Sequence, residues 1–456
     1  MEHKVAVHIF RRDLRLQDNT ALLHALNNAQ TVVPCFIFDK RQVSKNEYKS
    51  NNAIQFMITS LKELNKELQD KDSQLYIFYG TAEKIIPKII KETEATLLTF
   101  NKDYTPFALK RDEEITKLCK EHEIECSIHE DALLNKPEDV VKSDGDPYTV
   151  FTPYMKNARK SKRVSAPEVN KFRSYYQKKI TSAESTSLFT EILKEKNKDI
   201  KVQGGREEGL KLLRRATTLD EYQTLRDFPA KDYTTHLSAH HKFGTISVRE
   251  SYHKLKDANI KGLINELYWR DFFTNITYHF PHVIGKAFRE KYNAINWSYS
   301  KNNFEKWCKG ETGFPIVDAG MRELNTTGYM HNRIRMITAS FLVKDLHIDW
   351  RWGEKYFAQQ LVDYDPAVNN GNWQWAASTG CDAQPYFRIF NPWSQQKKFD
   401  EDCEYIKTWI PELQKYTPKE IHNLFKKQPE NMKYPKPMVD HSVVSKEALA
   451  MFKKVS

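Results

Sequence analysis

Val5-Ala6-Val7-His8-Ile9-Phe10 is a short apolar run that breaks into charge at Arg11-Arg12-Asp13. Runs of the same kind return at residues 31–38, 74–79, 95–100 and 125–129. Between them, residues 53–68 and 109–122 carry apolar side chains three and four apart, which is the spacing of a helix with one buried face. Strands that alternate with helices are joined by crossovers, so residues 1–134 read as a doubly wound, Rossmann-like parallel sheet with helices on both faces. Such sheets take ligands at the carboxyl ends of their strands. Neither Gly-x-Gly-x-x-Gly nor Gly-x-x-x-x-Gly-Lys-Ser/Thr occurs, so a conventional dinucleotide or P-loop phosphate site has no support here.

The chain has 456 residues, more than one core of roughly 250 to 300 residues accommodates, and two domains are expected. Residues 135–205 read as a long connector over the surface, basic between Lys156 and Lys179 with Lys162 among its cations. From about residue 206 strand patterns nearly vanish. Segments 205–216, 248–258, 264–278, 317–326, 333–346, 352–360 and 403–409 have helical spacing, so residues 206–456 read as an all-helical domain.

Charge separates the two parts. Residues 1–134 hold 19 Lys and Arg against 21 Asp and Glu, whereas residues 135–456 hold 52 against 39, which points to an anionic partner for the second part. All nine Trp also lie there, between Trp269 and Trp409. The six Cys are scattered without a Cys-x-x-Cys pair, so free thiols are expected and a structural metal site is not. No apolar run approaches the ~20 residues that cross a bilayer. The charged start lacks a signal-peptide pattern, and a cytoplasmic, monomeric protein is expected.

Three clusters carry chemistry. Tyr222 through Ser247 contains Arg226-Asp227-Phe228-Pro229 and Thr234-Thr235-His236-Leu237-Ser238. Hydroxyls grouped at a helix start either cap backbone N–H groups, the commoner use, or bind a phosphate. Gly328-Tyr329-Met330-His331-Asn332-Arg333-Ile334-Arg335-Met336 offers two planar guanidinium forks beside an amide, and Asn332, Arg335 and Met336 share a helix face. An ion-pair network is an equal reading for the Arg pair. Asp363-Tyr364-Asp365-Pro366-Ala367-Val368-Asn369-Asn370-Gly371-Asn372-Trp373-Gln374-Trp375 is too polar for ordinary core and suits an organic cofactor whose buried polar groups all need partners.

Taken together these strings resemble the photolyase/cryptochrome flavoproteins, and the resemblance spans essentially the whole chain. Phe10-Arg11-Arg12-Asp13-Leu14-Arg15-Leu16 with Asp18-Asn19 is similar to the opening strand and loop of the family's α/β domain. Trp307-Cys308-Lys309-Gly310-Glu311-Thr312-Gly313-Phe314-Pro315-Ile316-Val317-Asp318, the string ending at Met336, and Arg388-Ile389-Phe390-Asn391-Pro392 are similar to its flavin-binding core. The resemblance implies an α/β domain joined by a long linker to a helical FAD-binding domain. Its nearest branch is the bacterial class I enzymes that repair cyclobutane pyrimidine dimers in DNA.

The resemblance further implies that Tyr222, Thr234, Thr235, His236, Leu237 and Ser238 hold the FAD phosphates and ribityl chain. Glu266, Asn332, Arg335, Asp363, Tyr364 and Asp365 surround its rings, with Asn369 beside flavin N5. Glu266, Asn369 and Met336 are the implied catalytic set. Arg226, Glu266, Trp269, Arg270, Asn332, Arg333, Met336 and Trp375 face the DNA and a flipped dimer. Trp373, Trp350 and Trp297 match the family's electron relay, and the other indoles are expected to pack the core. The implied chemistry is light-driven electron transfer from reduced FAD, which needs no metal.

Two positions depart from the folate-carrying members of the family. Thr105 aligns with their pterin-binding Glu, and Val283-Ile284 with their Cys-Lys pair, so a folate antenna is disfavoured and a second chromophore of another kind, or none, stays open. The alternative function is a cryptochrome-type photoreceptor that binds FAD and signals to a protein partner. Asn369 and Met336 argue for repair instead.

Overall fold

The computed structural model describes residues 2–44, 46–161 and 163–455, so Lys162 of the basic connector lies outside the described residues. Its single sheet comprises β1 (His3–Phe10), β2 (Ala29–Phe38), β3 (Tyr76–Tyr79), β4 (Leu97–Asn101) and β5 (Glu125–His129). All neighbours are parallel, in the order β3-β2-β1-β4-β5, with Val7 opposite both Val33 and Leu98.

The uninterrupted apolar character of β1 follows from burial on both sides. Val5, Val7 and Ile9 face a core built with Ile86, Ile89 and Ile115, while Ala6 and Phe10 face a second core built with Leu22, Leu26, Leu61 and Leu64. Covering helices therefore lie on both faces, as the alternating pattern requires. The strand order reverses beside β1, and the residues that leave its carboxyl end are Arg11, Arg12 and Asp13.

The remainder is helical, with cores centred on the Lys261–His279 helix and on the Pro315–Thr327 helix. Two departures from the periodicity reading stand out. The segment read as one helix over 333–346 is an α-helix only at Asn332–Ser340, followed by a wider π turn at Phe341–Asp345 that buries Lys344 against Ser378 Oγ at 3.0 Å. The polar string at 363–375 is itself a helix, Pro366–Ala377. Asp365 caps it by accepting from the Ala367 and Val368 N–H groups, and Pro366 sits at its first position, where no N–H is needed. Glycine lets this helix approach its neighbours: a Cβ on Gly371 would come within 2.1 Å of Phe273, and one on Gly353 within 2.1 Å of Trp373.

The connector does not hang free of the sheet. The Tyr176 N–H donates to Val32 O and the Val32 N–H to Ser174 O, each at 2.9 Å, and the Glu184 N–H donates to Ile77 O. It also forms a helix, Phe151–Ser161.

Sheet and helices are locked by charges in their interface. Arg15 donates to Asp131 at 2.6 Å and to Gly244 O at 3.0 Å. Arg249 spans Asp18 at 3.0 Å and Asp131 at 2.8 Å. Arg12 pairs with Asp103 near the end of β4 and, in the helical part, with Asp365. All six Cys are unbridged, and no helix among the described residues is long and apolar enough to cross a membrane.

Candidate functional site

The 234–238 string ends at the Ser238–Phe243 helix, whose N-cap position is Leu237. Leu237 itself offers no capping side chain, and of the string's hydroxyls Thr235 serves a backbone N–H at this start. Thr234 Oγ1 lies 3.3 Å from Tyr329 OH, and Thr235 Oγ1 accepts from the Leu237 N–H. His236 has a left-handed backbone, φ +55°, and its Nε2 meets Asp232 at 2.6 Å. Tyr222 is buried beneath the Arg226 guanidinium.

Thr234, His236, Tyr329 and His331 line a cavity of about 230 Å³, together with Lys201 and the Glu323–Tyr405 pair. Two buried ring nitrogens there, His236 Nδ1 and His331 Nε2, have no protein partner. Buried polar atoms are ordinarily satisfied, so these two await a ligand with matching groups. The cavity is below the volume range of a whole drug-sized ligand and suits one polar end of a dinucleotide.

Apart from Glu266, which stands on the Lys261–His279 helix and pairs with Arg226, the rest of the predicted cofactor set gathers around the Asn332–Ser340 and Pro366–Ala377 helices. Arg335 makes a two-point pair with Asp363 at 2.9 and 3.2 Å and also donates from Nε to Met330 O at 2.8 Å. Asp365 holds its helix cap and Arg12. Tyr364 packs against Tyr48, ring centroids 6.3 Å apart. Asn369 Nδ2 donates to Glu354 Oε1 at 2.9 Å and to Glu354 O at 3.1 Å, which leaves its amide oxygen as an acceptor.

The sequence alone does not single out Glu354. Burial pushes its carboxyl up to about 7, although the Asn369 hydrogen bond pulls the other way. A raised folded-state value means that its stabilising share is complete below the ordinary Glu value and disappears as pH rises through about 7. Glu354→Gln is therefore expected to unfold at a higher temperature than wild type above pH 7 and at the same temperature near pH 4, read from thermal unfolding across that range. Equal melting curves at every pH would mean that the buried acid does not titrate in this window.

The residues assigned to DNA are mostly spoken for in the free protein. Arg226 pairs with Glu266 at 2.6 Å, and Arg333 with Asp227 at 2.9 Å while lying over the Phe399 ring. Arg270 turns inward to Asp271 and Ala132 O. Trp269 stacks on Phe151 with centroids 3.6 Å apart and planes at 8°. Asn332 is exposed, with its amide 3.7 Å from the sulfur of half-buried Met336, so that helix face is built as expected. Trp375 is half-buried.

Trp373, Trp350 and Trp297 are all buried, at 2%, 1% and 5% exposure. Trp373 touches Phe357 and Trp307, an indole expected only to pack the core. Thr105 caps the Pro106–Glu121 helix, a structural duty.

The sequence matches the models of two domains, the DNA photolyase domain over residues 6–171 and the FAD-binding domain of DNA photolyase over residues 263–454. The chain belongs to the photolyase/cryptochrome family. It is accordingly a flavoprotein enzyme of the DNA photolyase kind. A deoxyribodipyrimidine photo-lyase from Alkalihalophilus pseudofirmus is 38% identical, with 97% of each chain covered. Among solved structures, a photolyase from Sulfolobus tokodaii determined with two FAD molecules is 44% identical, with a TM-score of 0.91 and coverage of 99% of this chain and 100% of that one. A Synechocystis cryptochrome is 28% identical with a TM-score of 0.89 over the full length of both chains. The photolyase fold, an α/β sheet domain beside a helical FAD-binding domain, is the one this chain adopts.

Proposed function

We propose that this photolyase repairs cyclobutane pyrimidine dimers in DNA, using blue light absorbed at FAD. The observation that carries the reading is the Asn369–Glu354 pair, which offers a neutral amide rather than a carboxylate or thiol beside the proposed flavin position. FAD would supply the light absorption and the electron. The chain's own residues bind and orient. The 234–238 turn and His331 accept the phosphate end, Arg335 with Asp363 fixes the ring end, and Asn369 is held in one orientation by Glu354.

Glu266 is positioned by Arg226, and half-buried Trp269 has one face held flat by Phe151, giving a hydrogen-bond acceptor and an indole for an extruded base pair to pack on. Photolyases are among the enzymes for which extrusion is the general rule, and a poorly stacked dimer is the least costly pair to extrude. Arg226 keeps Glu266 in place, while Arg333 exchanges Asp227 for a phosphate, which makes binding fall with added salt.

For a second chromophore we favour a flavin over folate. The Sulfolobus tokodaii relative was determined with two FAD molecules, and Thr105 is committed as a helix cap. The ratio of flavin to protein after extraction separates one site from two.

The deciding measurement is dimer content of ultraviolet-irradiated DNA after incubation with the reduced protein in light and in dark. Loss in light alone is expected. Equal dimer content in both arms would sink the repair reading and leave a cryptochrome-type photoreceptor; in either case a cytoplasmic monomer is the proposed working form.

A further inference from the structure

Trp373 is the first station of the relay that the family resemblance implies, and a second route to it rests on that reading. It meets the indole of Trp307 edge-on, centroids 6.2 Å apart. Ring contacts continue from Trp307 to Phe304 at 5.8 Å, from Phe304 to Trp352 at 5.1 Å, and from Trp352 to Tyr299 at 5.8 Å. Tyr299 is 61% exposed.

The route taken from the family resemblance ends differently. Trp297 is buried under Phe452 of the His441–Lys453 helix, with centroids 6.0 Å apart. Trp350 is 1% exposed and lies beneath the Arg351 guanidinium at 5.2 Å, itself paired with Asp349, so that route has no indole or phenol at the surface. We propose that Trp307, Trp352 and Tyr299 form a second route for electrons to Trp373, with Tyr299 as its surface end.

The steps balance. Trp373, after giving up one electron, takes one from Trp307, Trp307 takes one from Trp352 across the Phe304 ring, and Trp352 takes one from Tyr299. Tyr299 loses its phenolic proton to water as it loses the electron, which leaves a neutral tyrosyl radical. A one-electron donor in solution, such as a thiolate, reduces that radical, and water returns the proton.

Local hydrogen bonds keep the hole moving outward. Trp307 Nε1 donates to Thr338 O at 3.1 Å, a carbonyl that cannot take the proton, so oxidised Trp307 remains a cation that passes its charge on. Tyr356 also touches Trp307, at 5.8 Å, but its single hydroxyl proton goes to Asn325 Oδ1 at 2.7 Å, with Cys308 O at 3.2 Å as the other neighbour, and neither is a base. Tyr299 faces water, where its proton leaves freely.

The test is electron paramagnetic resonance of the FAD-loaded protein under blue light, with and without ring-deuterated tyrosine, in wild type, Tyr299→Phe and Trp307→Phe. Wild type is expected to give a tyrosyl signal that the label narrows, and each variant a signal smaller by about tenfold. Dimer repair by chemically reduced Tyr299→Phe is expected to equal wild type. Should Trp307→Phe fail to fold, Tyr299→Phe decides, because its side chain is at the surface. An undiminished tyrosyl signal in Tyr299→Phe, or a wild-type signal from tryptophan alone, overturns the second route. Absence of dimer repair alongside a Tyr299-dependent radical overturns the repair reading and leaves the route standing.

Discussion

Arg249→Ala lowers the free energy of unfolding by about 3 to 5 kcal/mol, the range found when one member of a buried ion pair is removed. Arg249 serves two carboxylates at once, Asp18 and Asp131, whose side chains are 4% and 2% exposed. Without it both keep their burial and lose a cation. The pH profile identifies the cause. Burial alone pushes the Asp131 carboxyl upward, but Arg15 and Arg249 together outweigh that and hold it well below the ordinary carboxylate range. A depressed folded-state value gives stability that is present above the unfolded value of about 3.9 and lost as pH falls through the folded one. In Arg249→Ala the Asp131 value moves back toward the unfolded one, so the stability lost on acidification is smaller than in wild type and its loss is complete at a higher pH. Denaturant unfolding at neutral pH and thermal scans in acid measure both effects, and a cost under about 1 kcal/mol would mean that the pair is solvated and contributes like a surface one.

Asp363→Ala should empty the protein of flavin. Its carboxylate holds Arg335 at two points, while Met330 O anchors the guanidinium at a third. Removing the carboxylate leaves a largely enclosed cation without its counter-charge and free to swing, so FAD retention is expected to weaken by roughly a hundredfold. Asp363→Asn, which keeps the shape and one acceptor, should fall between. The readout is flavin absorbance per protein after exhaustive dialysis. Unchanged flavin content in Asp363→Ala would remove this pair from the cofactor site.

How legible all this was in the sequence depends on whether one segment's chemistry was enough. The strands read at 5–10, 31–38, 74–79, 95–100 and 125–129 match β1 to β5 closely, because a parallel strand covered on both faces must be an apolar run with polar ends. The Pro366–Ala377 helix was missed as a helix because its Asn residues and Gly371 hide the periodicity. Its start was nevertheless written plainly in Asp365-Pro366, a capping acid followed by the residue that needs no N–H.

Glu354 and Trp307 were missed for a different reason. Glu354 looks like any charge on an amphipathic helix until the fold brings Asn369 to it from the next one. Trp307 looks like core until Trp373 arrives 66 positions later in sequence. No local spacing rule reaches that far. The pairing of Arg226 with Glu266, two residues each assigned a separate DNA-facing role, was equally invisible.

The Arg12 bridge limits how this protein can be rebuilt. Its guanidinium comes from the loop after β1, yet one of its two carboxylates is the cap of the helix that carries Asn369 and Trp373. The sheet half is thus not a detachable module. A chimera that grafts another protein's sheet domain onto this helical half would leave the Asp365 carboxylate capping its helix but without its cation unless the graft brings one at position 12, so exchanging the sheet reaches the helix that carries Asn369 and Trp373.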